Sequence, residues 1–124
     1  MHQFLCYCLL SDVAYPPCIA SEFAAGYNLR SAMRCIIFPG GTMEVRTDLA
    51  FKFPAGTYGR IAGHSGLALH NSVTILGGVV DPDYTGNMSV LLHNLSRMAE
   101  FMVAPGQSVA QLILERFESP QTLQ

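Results

Sequence analysis

The chain has 124 residues, of which half are hydrophobic and only 13% are charged, against roughly 25% charged in ordinary soluble domains. Its net charge is −2, its one lysine is Lys52, and its six arginines are scattered from Arg30 to Arg116, which argues against the basic face a nucleic-acid binder uses to displace counterions. The length fits a single domain over 1–124, and so little charge beside so much apolar material points to burial against further copies of the chain.

The opening run from Met1 to Leu10 is apolar, yet it has neither a basic leader nor a small-residue cleavage site. No stretch reaches the ~20 apolar residues of a membrane-crossing helix, so no membrane segment is expected and the location expected is intracellular, cytoplasmic or nuclear. Cys6, Cys8, Cys18 and Cys35 lie in the first third without the paired spacings of a zinc site. They read as reduced thiols filling apolar positions.

Further along, 34–38 is a strand candidate. From Met43 to Phe53 apolar or β-branched residues alternate with Glu44, Arg46, Asp48, Ala50 and Lys52, which predicts one long strand with a single wet face. Strands are also expected at 57–62, 72–76, 87–93, 100–103 and 108–117, separated by turn signals such as Pro39-Gly40-Gly41, Pro54-Ala55-Gly56 and Pro105-Gly106. Only 65–71 has the character of a short helix. Many short strands with regular turns predict an all-β sandwich or barrel with one brief helical turn.

Chemistry is concentrated in four short stretches. Gly77-Gly78-Val79-Val80-Asp81-Pro82-Asp83-Tyr84-Thr85-Gly86-Asn87 ties a carboxylate and an aromatic ring to one tight hairpin. Read from the residues alone, Asp81 either caps a turn or serves as a base, and Gly77 and Gly78 serve either a bend or a close backbone approach. The other three are Ala25-Gly26-Tyr27-Asn28-Leu29, Gly63-His64-Ser65-Gly66-Leu67-Ala68 and Pro105-Gly106-Gln107-Ser108-Val109-Ala110-Gln111-Leu112-Ile113.

Taken in chain order, 25–29, 63–68, 77–87 and 105–113, the four stretches resemble motifs one, two, three and four of the trimeric dUTPases, and the resemblance extends from about residue 10 to residue 116 without a large gap. It implies a jelly-roll β-barrel, a homotrimer whose sites are shared between subunits, Mg2+ as cofactor, and hydrolysis of dUTP to dUMP and pyrophosphate. It also implies that Asp81 orients the attacking water and that Tyr84 stacks on the deoxyribose. Main-chain groups of the hairpin, Gly78 among them, would read the uracil edge. His64, Ser65, Gly66 and Gln111 would meet the phosphates, with Asn28 and Gln111 touching the metal through water.

The departures fall on charged positions. Asn28 stands where the family has Asp, His64 where it has Arg, and Ser108 where a basic residue is common. An Arg contacts phosphate with a fixed fork of donors that His64 lacks, so His64 is either structural or a weaker phosphate contact. Asn28 keeps an acceptor oxygen without the charge. The family's fifth motif, a Gly-rich arm carrying an Arg and a Phe, has no counterpart before Gln124. These departures keep a second expectation open, that of an inactive dUTPase-fold protein acting as a nucleotide binder or interaction scaffold.

Overall fold

The computed structural model describes residues 4–124. Twelve strands and one helix follow one another there: β1 (Cys6–Leu9), β2 (Cys18–Ile19), β3 (Tyr27–Arg30), β4 (Cys35–Ile37), β5 (Thr42–Arg46), β6 (Leu49–Lys52), β7 (Thr57–Ala62), α1 (Ser65–Asn71), β8 (Val73–Leu76), β9 (Val79–Val80), β10 (Ser89–Asn94), β11 (Phe101–Val103) and β12 (Ser108–Arg116). They pair antiparallel in four groups, ordered β1-β6, β5-β10-β8, β11-β4 and β2-β3-β12-β7-β9. Their inner faces enclose one apolar core, in which Leu29, Val45, Leu49, Val90, Leu92, Val103, Val109 and Leu112 are fully buried. The fold is thus all-β and jelly-roll-like, with α1 as the one helix among the described residues. No described helix is long and apolar enough to cross a membrane.

The alternation from Met43 to Phe53 is kept, but not as the one strand expected. Val45, Thr47, Leu49, Phe51 and Phe53 are buried while Glu44, Arg46 and Lys52 are exposed. Between them Asp48 takes φ 57° and cuts the run into β5 and β6. Asp tolerates this left-handed conformation better than most residues with a Cβ. The corner is held where the ladder lapses: the Thr47 hydroxyl donates to the Met88 carbonyl (2.6 Å) and accepts from Leu49 N–H (3.2 Å). Beyond it the chain changes partners, β5 pairing with β10 and β6 with β1. One buried stripe therefore lines two sheets.

The cysteine expectation needs a correction. The thiols are free, but Cys6, Cys8 and Cys18 are exposed and only Cys35 is partly buried, where burial pushes its thiol pKa up. All four residues of β1 and both of β2 lie on the surface, so apolar side chains there fill no core. The region before Cys6 includes residues 1–3, which lie outside the described residues.

Candidate active site

The five-stranded sheet sets the first group of residues by register. Cys18 faces Asn28 across β2 and β3, Asn28 faces Gln111 across β3 and β12, and Gln111 faces Ala62 across β12 and β7. Directly opposed residues project from the same face of a sheet, so the amides of Asn28 and Gln111 are neighbours. Gln111 Nε2 donates to the Gly63 carbonyl (3.3 Å), which ties β12 to the segment just after β7.

A register shift between Ser108 and Ala110 leaves Ser108 opposite Arg30 and swings its hydroxyl outward. There Ser108 Oγ and His64 Nε2 lie 2.9 Å apart in a hydrogen bond. His64 is extended (φ −94°, ψ 131°) and precedes α1, but its side chain makes no capping bond to the helix, because the ring is turned to Ser108. Ser65 and Gly66 open α1 on exposed backbone. On the same strand as Asn28, the Arg30 guanidinium donates to the Gly106 carbonyl at 2.8 Å. Further along the same face Tyr58 donates to the Glu115 carboxylate, which Arg60 Nε also meets at 3.1 Å. The bond between them lowers the Glu115 pKa, where Arg60 adds to the effect, and raises that of Tyr58, where the Arg60 charge opposes it.

The second group sits on the hairpin after β8. Gly77 (φ 67°) and Gly78 (φ 113°) turn the chain so closely past β7 that Ile61 N–H donates to Gly78 O at 2.7 Å. A Cβ on Gly78 would stand 2.7 Å from the Ile61 carbonyl oxygen, so position 78 requires glycine on both counts. After β9 the turn closes through Tyr84 N–H donating to Asp81 O (3.0 Å). The turn is thus made by the Asp81 backbone, while its exposed carboxylate bonds to no described residue. Tyr84 folds its ring back over Gly86, where a Cβ would stand 2.7 Å from the phenol oxygen, and donates to the Asn87 carbonyl (2.7 Å).

Gly78, Asp81 and Tyr84 line a cleft of about 280 Å³ whose other walls include Ile61, Leu76 and Leu91. That is near the ~300 Å³ lower end of small-molecule pockets. Asn28, His64, Ser65, Gly66 and Gln111 do not line it. One chain therefore carries two partial constellations: a polar row built by register, and an apolar cleft roofed by the hairpin. Among the described residues no three His, Cys, Asp or Glu side chains gather as a metal site.

Two residues that sequence reasoning passed over, Asp48 and Asn87, bind each other behind the hairpin. Asp48 stood at a wet position of an apparently continuous strand and Asn87 at the expected start of another, so neither carried a local signal.

The architecture is that of the dUTPase β-barrel. It superposes on a dUTPase of Staphylococcus aureus phage phi11 with a TM-score of 0.92, covering 98% of this chain and 95% of that one at 23% identity. On a Staphylococcus bacteriophage 80alpha dUTPase carrying dUpNHpp the TM-score is 0.93, with 98% and 87% covered at 22% identity. Likeness in sequence goes further. Residues 13–124 match the family model described as dUTPase, and the chain belongs to the dUTPase family. It is 49% identical over 112 residues to the deoxyuridine 5′-triphosphate nucleotidohydrolase of fowl adenovirus A serotype 1, a match covering 90% of this chain and 62% of that protein. To the mitochondrial enzyme of Dictyostelium discoideum it is 47% identical over 115 residues, covering 93% and 64%. To the enzyme of Eremothecium gossypii it is 44% identical over 108 residues, covering 87% and 70%. The chain thus spans about two thirds of the length of these relatives.

Proposed function

We propose that the chain hydrolyses dUTP to dUMP and pyrophosphate as a homotrimer, with the polar row of one subunit completing the cleft of another. The observation that carries this reading is the Asp81 carboxylate, held by its backbone in a turn beside Tyr84 and left without a side-chain partner at the cleft. Shared sites account for the separation of the two constellations within one chain.

In the reaction, water attacks the α-phosphorus: a new P–O bond forms, the bond to the bridging oxygen of pyrophosphate breaks, and the proton lost by the water passes to base or solvent. Asp81 accepts a hydrogen bond from that water and holds its lone pair in line. Tyr84 packs against C2′, so a ribose hydroxyl finds no room. The backbone around Gly78 approaches closely enough for main-chain groups to read the uracil edge. Ser65 and the Gly66 N–H meet phosphate oxygens, with His64 as a single hydrogen-bonding partner in place of a guanidinium fork.

Mg2+ fits the donor set only through its waters: Asn28 and Gln111, opposed across β3 and β12, each offer a neutral amide oxygen, and magnesium commonly keeps its waters while binding substrate phosphates. When bound it would neutralise charge on the triphosphate.

Release of pyrophosphate from dUTP, assayed with the full chain, tests the reading. Turnover that Asp81→Asn abolishes supports it, and absent turnover overturns it. A second reading, binding without turnover, is favoured by one observation: His64 is already engaged by Ser108, where the family's Arg would present a permanent charge.

A further inference from the structure

Behind the cleft, Asp48 and Asn87 grip each other at both ends. Asp48 N–H donates to Asn87 Oδ1 at 3.0 Å, and Asn87 Nδ2 returns a bond to Asp48 Oδ1 at 2.8 Å. Ser11 Oγ donates to Asp48 Oδ2 at 2.8 Å, and Arg46 Nε lies 3.6 Å from Oδ1. The Asp48 side chain is only 13% exposed, and its backbone stands in the left-handed region. A residue with a Cβ stays in that region when its surroundings over-determine it, and such sites concentrate where a protein must hold something in place.

What this pair holds is the carbonyl of Asn87, the acceptor for the Tyr84 phenol. On the other side of that carbonyl Met88, 2% exposed, donates its N–H to Leu49 O (2.7 Å) and accepts from Thr47 Oγ1. Neither Asp48 nor Asn87 lines the cleft. Their hydrogen-bonded reach into it runs through the Tyr84 phenol, while Met88, next in the chain to Asn87, lines the cleft itself.

Resting on the dUTPase reading above, we propose that Asp48 and Asn87 are positioning residues that fix the Tyr84 ring over the cleft and so set the preference for a 2′-deoxy sugar. The clasp pins the Asn87 peptide, the peptide pins the phenol, and the ring closes the space a 2′-hydroxyl would need. Loosening the clasp lets the ring swing from Gly86 and admits the ribonucleotide. A clasp that only braced the β5–β6 corner would lower stability and leave sugar preference alone.

The test measures dissociation constants for dUMP and UMP by calorimetry, with unfolding midpoints alongside, for the full chain and four variants. Wild type prefers dUMP. Asn87→Ala removes both clasp bonds, and the dUMP:UMP preference falls by about tenfold or more, approaching that of Tyr84→Ala. Asp48→Asn, which keeps an amide oxygen for Asn87 Nδ2, retains most of the preference. Asp48→Gly takes φ 57° without strain and loses only the carboxylate half, so it keeps the fold and shows an intermediate ratio. A folded Asn87→Ala with the wild-type ratio overturns the clasp while leaving the site intact. If Asn87→Ala does not fold, a wild-type ratio in Asp48→Gly overturns it equally. A wild type that binds both nucleotides alike, or neither, overturns the site reading itself, and the clasp with it.

Discussion

The polar row and the hairpin place functional groups by opposite means. In the row, long-range ladder register puts Asn28 beside Gln111, and the side chains are then tied to neighbours: Gln111 to Gly63, His64 to Ser108, Arg30 to Gly106. In the hairpin the backbone is tied, through Gly78 to Ile61 and through the Asp81–Tyr84 turn, and the Asp81 carboxylate is left unpaired. A group that must meet a reacting water is better served by a fixed backbone and a free oxygen. Groups that only bind can tolerate prior partners, because a ligand exchanges one hydrogen bond for another at small net cost.

The comparison breaks most visibly at Asp81. Asp81→Asn should cut dUTP turnover by about 10²–10⁴ while nucleotide binding stays close to wild type, since it removes the base and keeps the turn. Equal losses in binding and turnover, measured by steady-state kinetics and calorimetry, would place Asp81 in the binding half instead.

The row should respond in the opposite direction. Asn28→Asp with His64→Arg restores a charge and a guanidinium fork, and should strengthen triphosphate binding by roughly ten- to a hundredfold, the range of hydrogen bonds to charged groups. The two changes touch one ligand, so their combined effect should depart from the sum of the single effects. Calorimetric titration with a non-hydrolysable dUTP analogue would read this.

Gly78→Ala sharpens the claim that the hairpin depends on its backbone. The new Cβ meets the Ile61 carbonyl in a conformation that suits only glycine, so stability should fall by about 1–3 kcal/mol in chemical unfolding. An unchanged midpoint would show that the two strands can part without cost.

The smallest expected effect concerns pH. The side-chain bonds from Asn87 and Ser11, with help from the Arg46 charge, hold the Asp48 carboxyl below its usual range. A carboxyl depressed by folding contributes stability above its unfolded pKa and loses it as pH falls through the folded value. Unfolding midpoints should therefore drop more steeply in wild type than in Asp48→Asn over about pH 5 to 3. Parallel curves would separate Asp48 from acid sensitivity.

How much of this was legible beforehand follows the range of the interactions. β7 and α1 read correctly to the residue, because period and turn residues mark them locally. β2 and β9, two residues each, carry no period and exist only through their partners. β3 is four residues long and lay inside a motif read for its chemistry. The residue types of both constellations were visible, and Asp81 and Tyr84 do share one hairpin. The opposition of Asn28 and Gln111 is a matter of register between distant strands. The bond between Asp48 and Asn87 joins positions 39 apart, and nothing in either neighbourhood announces it.

The corner at Asp48 also bears on how the molecule opens. The ribbon of β1 and β6 is an isolated pair, and its far end is stitched to the corner by Leu10 N–H to Asp48 O (2.8 Å) and by Ser11 to the Asp48 carboxylate. The same corner holds the root of the hairpin through Asp48 to Asn87 and Met88 to Leu49. Fraying of the ribbon cannot reach Asp48 without releasing the hairpin, so the amides of Leu10, Asp48 and Met88 should exchange hydrogen together, as one cooperative unit less protected than the five-stranded sheet. The edge of the barrel and the roof of the cleft then breathe as a single body.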